Sequence, residues 1–204
     1  MSTTEISFPT CSYKGLIFDL DGTLVDSMPA HFAAWCHALE EHGAPGIFPE
    51  DVFYAMGGRP TKDIVIELNG ELGLHLDPDA VAMSKREAYL EALNKVELID
   101  PVIEFIRENH GKVPMAIATG STRQVAERTL ELLKIDHYFE TMVTADDVEC
   151  GKPDPEVFLK AAAAINVEPT DCVAFEDAAP GILAAQTAGM TVVTVPTPLQ
   201  ITQD

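Results

Sequence analysis

Five short apolar runs rich in β-branched residues punctuate the chain. They are GLIFD at 15–19, PMAIAT at 114–119, TMVTA at 141–145, CVAFED at 172–177 and MTVVTV at 190–195. Hydrophobicity that is continuous rather than alternating predicts strands buried on both faces. Helical spacing separates the later runs. RQVAERTLELLK brings Val125, Thr129, Leu130 and Leu133 near one face, and PEVFLKAAAAI does the same with Val157, Phe158, Ala161, Ala162 and Ile165. PGILAAQTAGM has Pro180 near its start and Gly189 past its end, which is helix punctuation. Strands alternating with helices predict an α/β fold, a Rossmann-like parallel sheet with helices on both faces.

The pattern changes between about Met28 and Lys95. MPAHFAAWCHALEEHG sets Met28, Phe32, Trp35 and Leu39 on one stripe. TKDIVIELNGELG and DPDAVAMSKREAYLEALNK are also helical, with Thr61 and Asp77 as expected N-caps. No strand pattern lies among them. The expectation is an all-helical insert, residues 26–96, interrupting a core made of 1–25 and 97–204. The tethers near Val25–Met28 and Lys95–Asp100 would then serve as hinges, and PTPLQITQD at the end reads as a loose tail.

Composition narrows the function classes. Thirteen Lys and Arg face 33 Asp and Glu, a formal charge of -20, which argues against a nucleic-acid or anionic-membrane surface. No apolar run approaches the roughly 18–20 residues of a membrane span. The start, MSTTEISFPTCSYK, lacks the basic and apolar regions of a secretory signal, so a cytoplasmic protein is expected. Cys11, Cys36, Cys150 and Cys172 are widely spaced and read as reduced structural thiols.

Three of the strand-like runs end in polar residues. GLIFD ends at Asp19 with Asp21 two residues on; PMAIAT ends at Thr119, before Gly120 and Ser121; CVAFED ends at Glu176 and Asp177. Ligands of open parallel sheets bind outside the carboxyl ends of the strands, so these endings are expected to share a crevice. Four carboxylates there would repel strongly: two unit charges about 4 Å apart cost roughly 4 kcal/mol at an effective dielectric near 20. Oxygen donors without histidine or cysteine point to a hard cation, and Mg²⁺ fits best. The bland alternative is a set of helix caps and loop charges that never meet. A metal, a carboxylate, a hydroxyl and a lysine suit phosphoryl transfer through an aspartyl-phosphate. Thr119 and the amides after it would supply donors, and Lys152 of ECGKPDP a cation.

The ordered series DLDGT at 19–23, ATGS at 118–121, GKPDP at 151–155 and FEDAAPGI at 175–182 resembles the four motifs of the haloacid dehalogenase-like hydrolases. Within them the chain is similar to the β-phosphoglucomutase-like sugar phosphatases, particularly the bacterial fructose-1-phosphatase-like members. The resemblance covers nearly the whole chain and makes the helical insert a cap domain. It implies Asp19 as nucleophile and Asp21 as general acid/base, with Thr119 and Lys152 holding the phosphoryl group. It also implies Mg²⁺ ligation by the side chains of Asp19 and Asp177 and the backbone carbonyl of Asp21, with Glu176 joining directly or through water.

Further substrate-binding positions follow from the same resemblance. His31 matches a cap-helix histidine that meets the acid/base or the sugar; otherwise it is a solvated helix residue. GGRPTKD at 57–63 matches a specificity loop. Gly57 and Gly58 would let backbone approach a ligand, and Arg59 or Lys62 would answer a sugar hydroxyl or a second phosphate. Gly120, Ser121 and Arg123 would contact a distal group. Trp35 reads as core packing before substrate stacking. Thr23 stands where the mutases of this branch carry valine, which favours release of phosphate to water. The expected activity is hydrolysis of a small sugar phosphate by a monomer. The rivals are a β-phosphoglucomutase using the same Asp19, and a non-enzymatic binding or regulatory protein on this scaffold.

Overall fold

A computed structural model describes residues 6–10 and 12–196. Cys11 and all but the first residue of the expected tail lie outside the described residues. In chain order the elements are β1 (Gly15–Phe18), β2 (Val25–Asp26), α1 (Met28–Glu41), α2 (Glu50–Ala55), α3 (Thr61–Leu72) and α4 (Pro78–Ala92). Then follow β3 (Glu97–Leu98), α5 (Asp100–Asn109), β4 (Met115–Ala118), α6 (Arg123–Leu133) and β5 (Thr141–Val143). The chain continues through α7 (Glu156–Ala164), β6 (Cys172–Glu176), α8 (Ala179–Thr187) and β7 (Thr191–Thr194).

All five expected strands form. They make one parallel sheet in the order β5-β4-β1-β6-β7. Strand pleating sends alternate residues of β1 to opposite faces. Leu16 and Phe18 join a core with Val102, Ile103 and Ile106 of α5 and Val125, Ala126 and Leu130 of α6. Ile17 points the other way, into a second core with Val157, Phe158 and Ala161 of α7 and Ala184 and Ala185 of α8. Both faces are therefore covered, which is why the strands carry no polar alternation. β1 sits centrally, and the chain order runs outward from it in both directions, so its carboxyl end is the switch point of the sheet.

Between β2 and β3 the chain is helical. Here Met28, Trp35, Ala38 and Leu39 of α1 pack with Phe48, Phe53, Ile64, Val65, Leu68 and Val81 in a third core. The anticipated stripe thus faces inward. Asp77 caps α4, its carboxylate accepting from the amides of Asp79 and Ala80. Thr61 does not cap α3: Pro60 holds the N-cap position and Thr61 is the first helical residue. Pre-proline and proline geometry set that entry, not a hydroxyl cap.

Four elements escaped the sequence pattern: α2, α5, β2 and β3. The helix α2 is only six residues long and buries Phe53 alone. The helix α5 begins at Asp100-Pro101 and buries Val102, Ile103 and Ile106. The two tethers pair with each other, Val25 opposite Leu98 and Asp26 opposite Glu97, in an antiparallel ribbon. Asp26 is exposed there and stands outside the carboxylate group of Asp19, Glu176 and Asp177. Among the described residues no helix is long and apolar enough to cross a membrane.

Candidate active site

The strand ends deliver the side chains. Asp19 follows β1, Thr119 follows β4, Glu176 ends β6 and Asp177 comes next; all four are buried, with Asp19 2% and Glu176 0% exposed. Parallel register aligns these ends: Phe18 pairs with Ile117 on one side and Phe175 on the other. Gly22 lets the chain leave β1 at a positive φ of 90°, and any Cβ there would collide with the Asp177 carboxylate.

Lys152 reaches the same point from the loop before α7. Its Nζ donates to Asp19 Oδ1 at 2.6 Å and to Glu176 Oε2 at 2.6 Å, with the lysine side chain 1% exposed. Burial alone would lower the Lys152 pKa, but Asp19 and Glu176 outweigh it and hold it above the ordinary lysine value. Glu176 is fixed at its other oxygen, which accepts from the amides of Asp177 and Ala178 at 3.1 Å each. Gly181 leaves room for that carboxylate, since a Cβ there would overlap it.

One cation does not balance this group. Burial, then the neighbouring Glu176, pushes the Asp19 carboxyl up to about 8 despite Lys152. Burial and Glu176 also raise Asp177 well above the usual carboxylate range. Carboxylate oxygens of Asp19, Glu176 and Asp177 lie within 4.8 Å of one another. Three buried oxygen donors with surplus negative charge fit a hard divalent cation, and no sulfur or nitrogen ligand adjoins them in this set. Thr23 donates to Asp177 Oδ1 at 3.2 Å and so helps to orient it. The Asp21 side chain is not part of this group.

Asp21 instead faces the helical section. Its carboxylate accepts from Ser27 Oγ (2.7 Å) and His31 Nε2 (2.9 Å) on one oxygen, and from Ser121 Oγ (2.6 Å) on the other. Burial works to raise its pKa, yet His31, Ser121 and Ser27 outweigh that and hold Asp21 below the usual carboxylate range. His31 is stacked on Tyr89, ring centroids 3.8 Å apart, and its Nδ1 lies 3.0 Å from Lys85 Nζ. A lysine ammonium only donates, so Nδ1 accepts and Nε2 carries the hydrogen toward Asp21. Burial and the Lys85 charge lower the His31 pKa. Burial pushes Lys85 itself down to about 8.

A cavity of about 360 Å³ opens over these groups. Its wall includes Asp19, Asp21, Thr119, Gly120 and Ser121 from the sheet, and His31, Trp35, Lys85 and the 57–63 loop from the helical section. The structure thus brings together Asp19, Asp21, Thr119, Lys152, Glu176 and Asp177, and seats His31, Gly57, Gly58, Arg59, Gly120 and Ser121 around them. Trp35 both packs in the third core and borders the cavity. Arg123 is turned elsewhere: its guanidinium donates to Met142 O and to Asp147 Oδ2 at 2.6 Å. Ser27, Lys85 and Tyr89 were not foreseen. Ser27 lies close to Asp21 in sequence, but Lys85 and Tyr89 meet His31 only through the packing of α4 on α1.

The two halves of the wall touch closely at Gly120. A Cβ there would overlap the carbonyl oxygen of Gly58, itself at a φ of 77° and against the Lys152 side chain. Gly120→Ala is expected to push the 57–60 loop off the site and lower kcat/KM by about 100-fold, with the melting temperature little changed. Steady-state kinetics beside a thermal melt checks this; wild-type turnover in the variant would show that the contact is dispensable.

Comparison with known proteins agrees with the geometry. Over 187 residues the chain is 43% identical to the fructose-1-phosphate phosphatase YqaB of Escherichia coli K12, covering 90% of this chain and 96% of that one. It is 30% identical to the β-phosphoglucomutase of Bacillus subtilis 168, over 87% of this chain and 80% of the relative. The crystal structure of a hydrolase from Pseudomonas syringae superimposes with a TM-score of 0.80 at 29% identity, covering 88% of this chain and 83% of that one. The sequence pattern of the haloacid dehalogenase-like hydrolases matches residues 16–195, taking in all four motifs, and the chain belongs to that family.

Proposed function

We propose that this phosphoric monoester hydrolase removes the phosphate from a small phosphorylated sugar, fructose 1-phosphate or a close analogue, through an aspartyl-phosphate on Asp19. One observation carries the reading: a buried carboxylate, flanked by Lys152 and a cation-demanding acidic group, borders a cavity walled by both the sheet and the helical section. The 43% identity to a fructose-1-phosphate phosphatase supports the choice of substrate.

Asp19, Glu176 and Asp177 would hold Mg²⁺, with the Asp21 carbonyl completing the set. Bound there, the metal would supply the positive charge that lets an anionic carboxylate approach an anionic phosphate. The chain's own residues do the rest. Asp19 attacks phosphorus, the bond from phosphorus to the sugar's oxygen breaks and that oxygen leaves with the sugar, while Lys152 and Thr119 hold the remaining phosphoryl oxygens. Ionised Asp21, gripped by three donors, is set to take a proton from the water that later attacks the phosphoenzyme. It must exchange one of those donors for a proton before it can serve the leaving oxygen. Residues 26–96 act as a cap hinged at the β2–β3 ribbon, and its closure brings His31 to Asp21 and excludes bulk water.

The test is a panel of sugar phosphates assayed for phosphate release with Mg²⁺ and after chelation. Chelation is expected to cut turnover by at least about 100-fold, with Mg²⁺ restoring it. Chelator-resistant turnover, or no release across the panel, contradicts the reading. β-Glucose 1-phosphate distinguishes the mutase, to which the B. subtilis relative points. That substrate should give phosphate; glucose 6-phosphate formed without phosphate would make the chain an isomerase.

A further inference from the structure

The family resemblance assigns Arg59 or Lys62 to a sugar hydroxyl or a second phosphate, and Arg123 to a distal group of the substrate. In the folded chain each is already committed to a carboxylate. Arg59, just before α3, places Nη2 2.5 Å from Oε2 of Glu67 on that helix, and both side chains are part-buried, 23% and 35% exposed. Lys62 pairs with Asp79 on α4. Arg123 pairs with Asp147. Lys85 donates to His31, whose other nitrogen faces Asp21. Arg86 also borders the cavity, but so do Asp63, Asp146 and Glu149.

Such a wall suits hydroxyl groups and disfavours a second anion. A further phosphate would add nearly two negative charges beside carboxylates. To pair with Arg59 it would have to draw that guanidinium away from Glu67, leaving a part-buried carboxylate unpaired. Lys62 and Asp79 are exposed, so solvent screens that pair and it contributes little to selection.

We propose that the site takes phosphates of uncharged sugars or polyols, and that Glu67, by holding Arg59, is the positioning residue that refuses a second phosphate. This rests on the phosphatase reading above and narrows its substrate class.

The experiment compares kcat/KM for a ketose 1-phosphate and the matching 1,6-bisphosphate, with Mg²⁺, in the wild-type chain, Glu67→Gln and Asp79→Asn. The wild type is expected to prefer the monophosphate by about 100-fold or more. Glu67→Gln should narrow that preference at least about tenfold, chiefly through a lower KM for the bisphosphate. Asp79→Asn should leave the ratio within about twofold. A purely structural role for Glu67 would change both substrates alike and leave the ratio fixed, which would overturn the proposal. Equal wild-type rates on the two substrates would also overturn it, while leaving the phosphatase reading intact. Turnover of neither would remove that reading and this inference with it.

Discussion

Asp19→Asn is expected to lower kcat by at least about 10⁴-fold while the chain stays folded. The substitution keeps the shape of the side chain but removes the carboxylate proposed to attack phosphorus. Its position leaves little room for a substitute. Asp19 is the buried carboxylate that follows the central strand, and Lys152 holds it at 2.6 Å. Asp21 is occupied by Ser27, His31 and Ser121, while Glu176 is tied to Lys152 and two backbone amides. The fold should survive because the amide relieves charge: burial and Glu176 already press Asp19 toward its neutral form. Phosphate release together with circular dichroism makes the check. Activity within tenfold of wild type would refute the assignment.

Lys152→Ala should act on stability as well as rate. Removing one member of a buried ion group leaves the remaining charges without compensation, typically at a cost of about 3–5 kcal/mol. Here the members left behind are Asp19 and Glu176, both almost wholly inaccessible. The aliphatic stem is lost too, from beside the Phe158 ring, 5.0 Å from the ammonium. Urea melts in chelator at neutral pH should show most of that loss. Saturating Mg²⁺ should recover part of it, since the cation would answer the same carboxylates. Turnover should fall as well if Lys152 holds the phosphoryl group as proposed. A change below about 1 kcal/mol in chelator would mean that the carboxylates find compensation elsewhere.

Much of this was legible because the governing signals are local. Leu16 to Phe18 read as a buried strand, and a buried strand has to end where polar residues begin. The three endings Asp19, Thr119 and Glu176 then converge by the geometry of a parallel sheet. The resemblance of the four motifs is matched by the family pattern over residues 16–195. What the sequence concealed depends on tertiary packing. Lys85, a charge on a helix, reads as solvated; only the meeting of α1 and α4 puts it on His31, 54 residues away. The β2–β3 ribbon pairs two residues with two, too few to show a period. Helix α5 did leave a trace, proline at its first turn with Val102, Ile103 and Ile106 at helical spacing. Arg59, Lys62 and Arg123 were legible as cations but not as members of ion pairs, since Glu67, Asp79 and Asp147 sit one or more turns away or on other elements.

Covalent capture at Asp19 tests the proposed mechanism most directly. The wild-type chain, turning over a sugar phosphate with Mg²⁺, would be quenched rapidly in acid and its peptides weighed. A phosphoryl adduct is predicted on the peptide carrying Asp19, fragmenting to that residue, and absent from Asp19→Asn. An adduct on another side chain, or unlabelled Asp19 while phosphate accumulates in a burst, would contradict it.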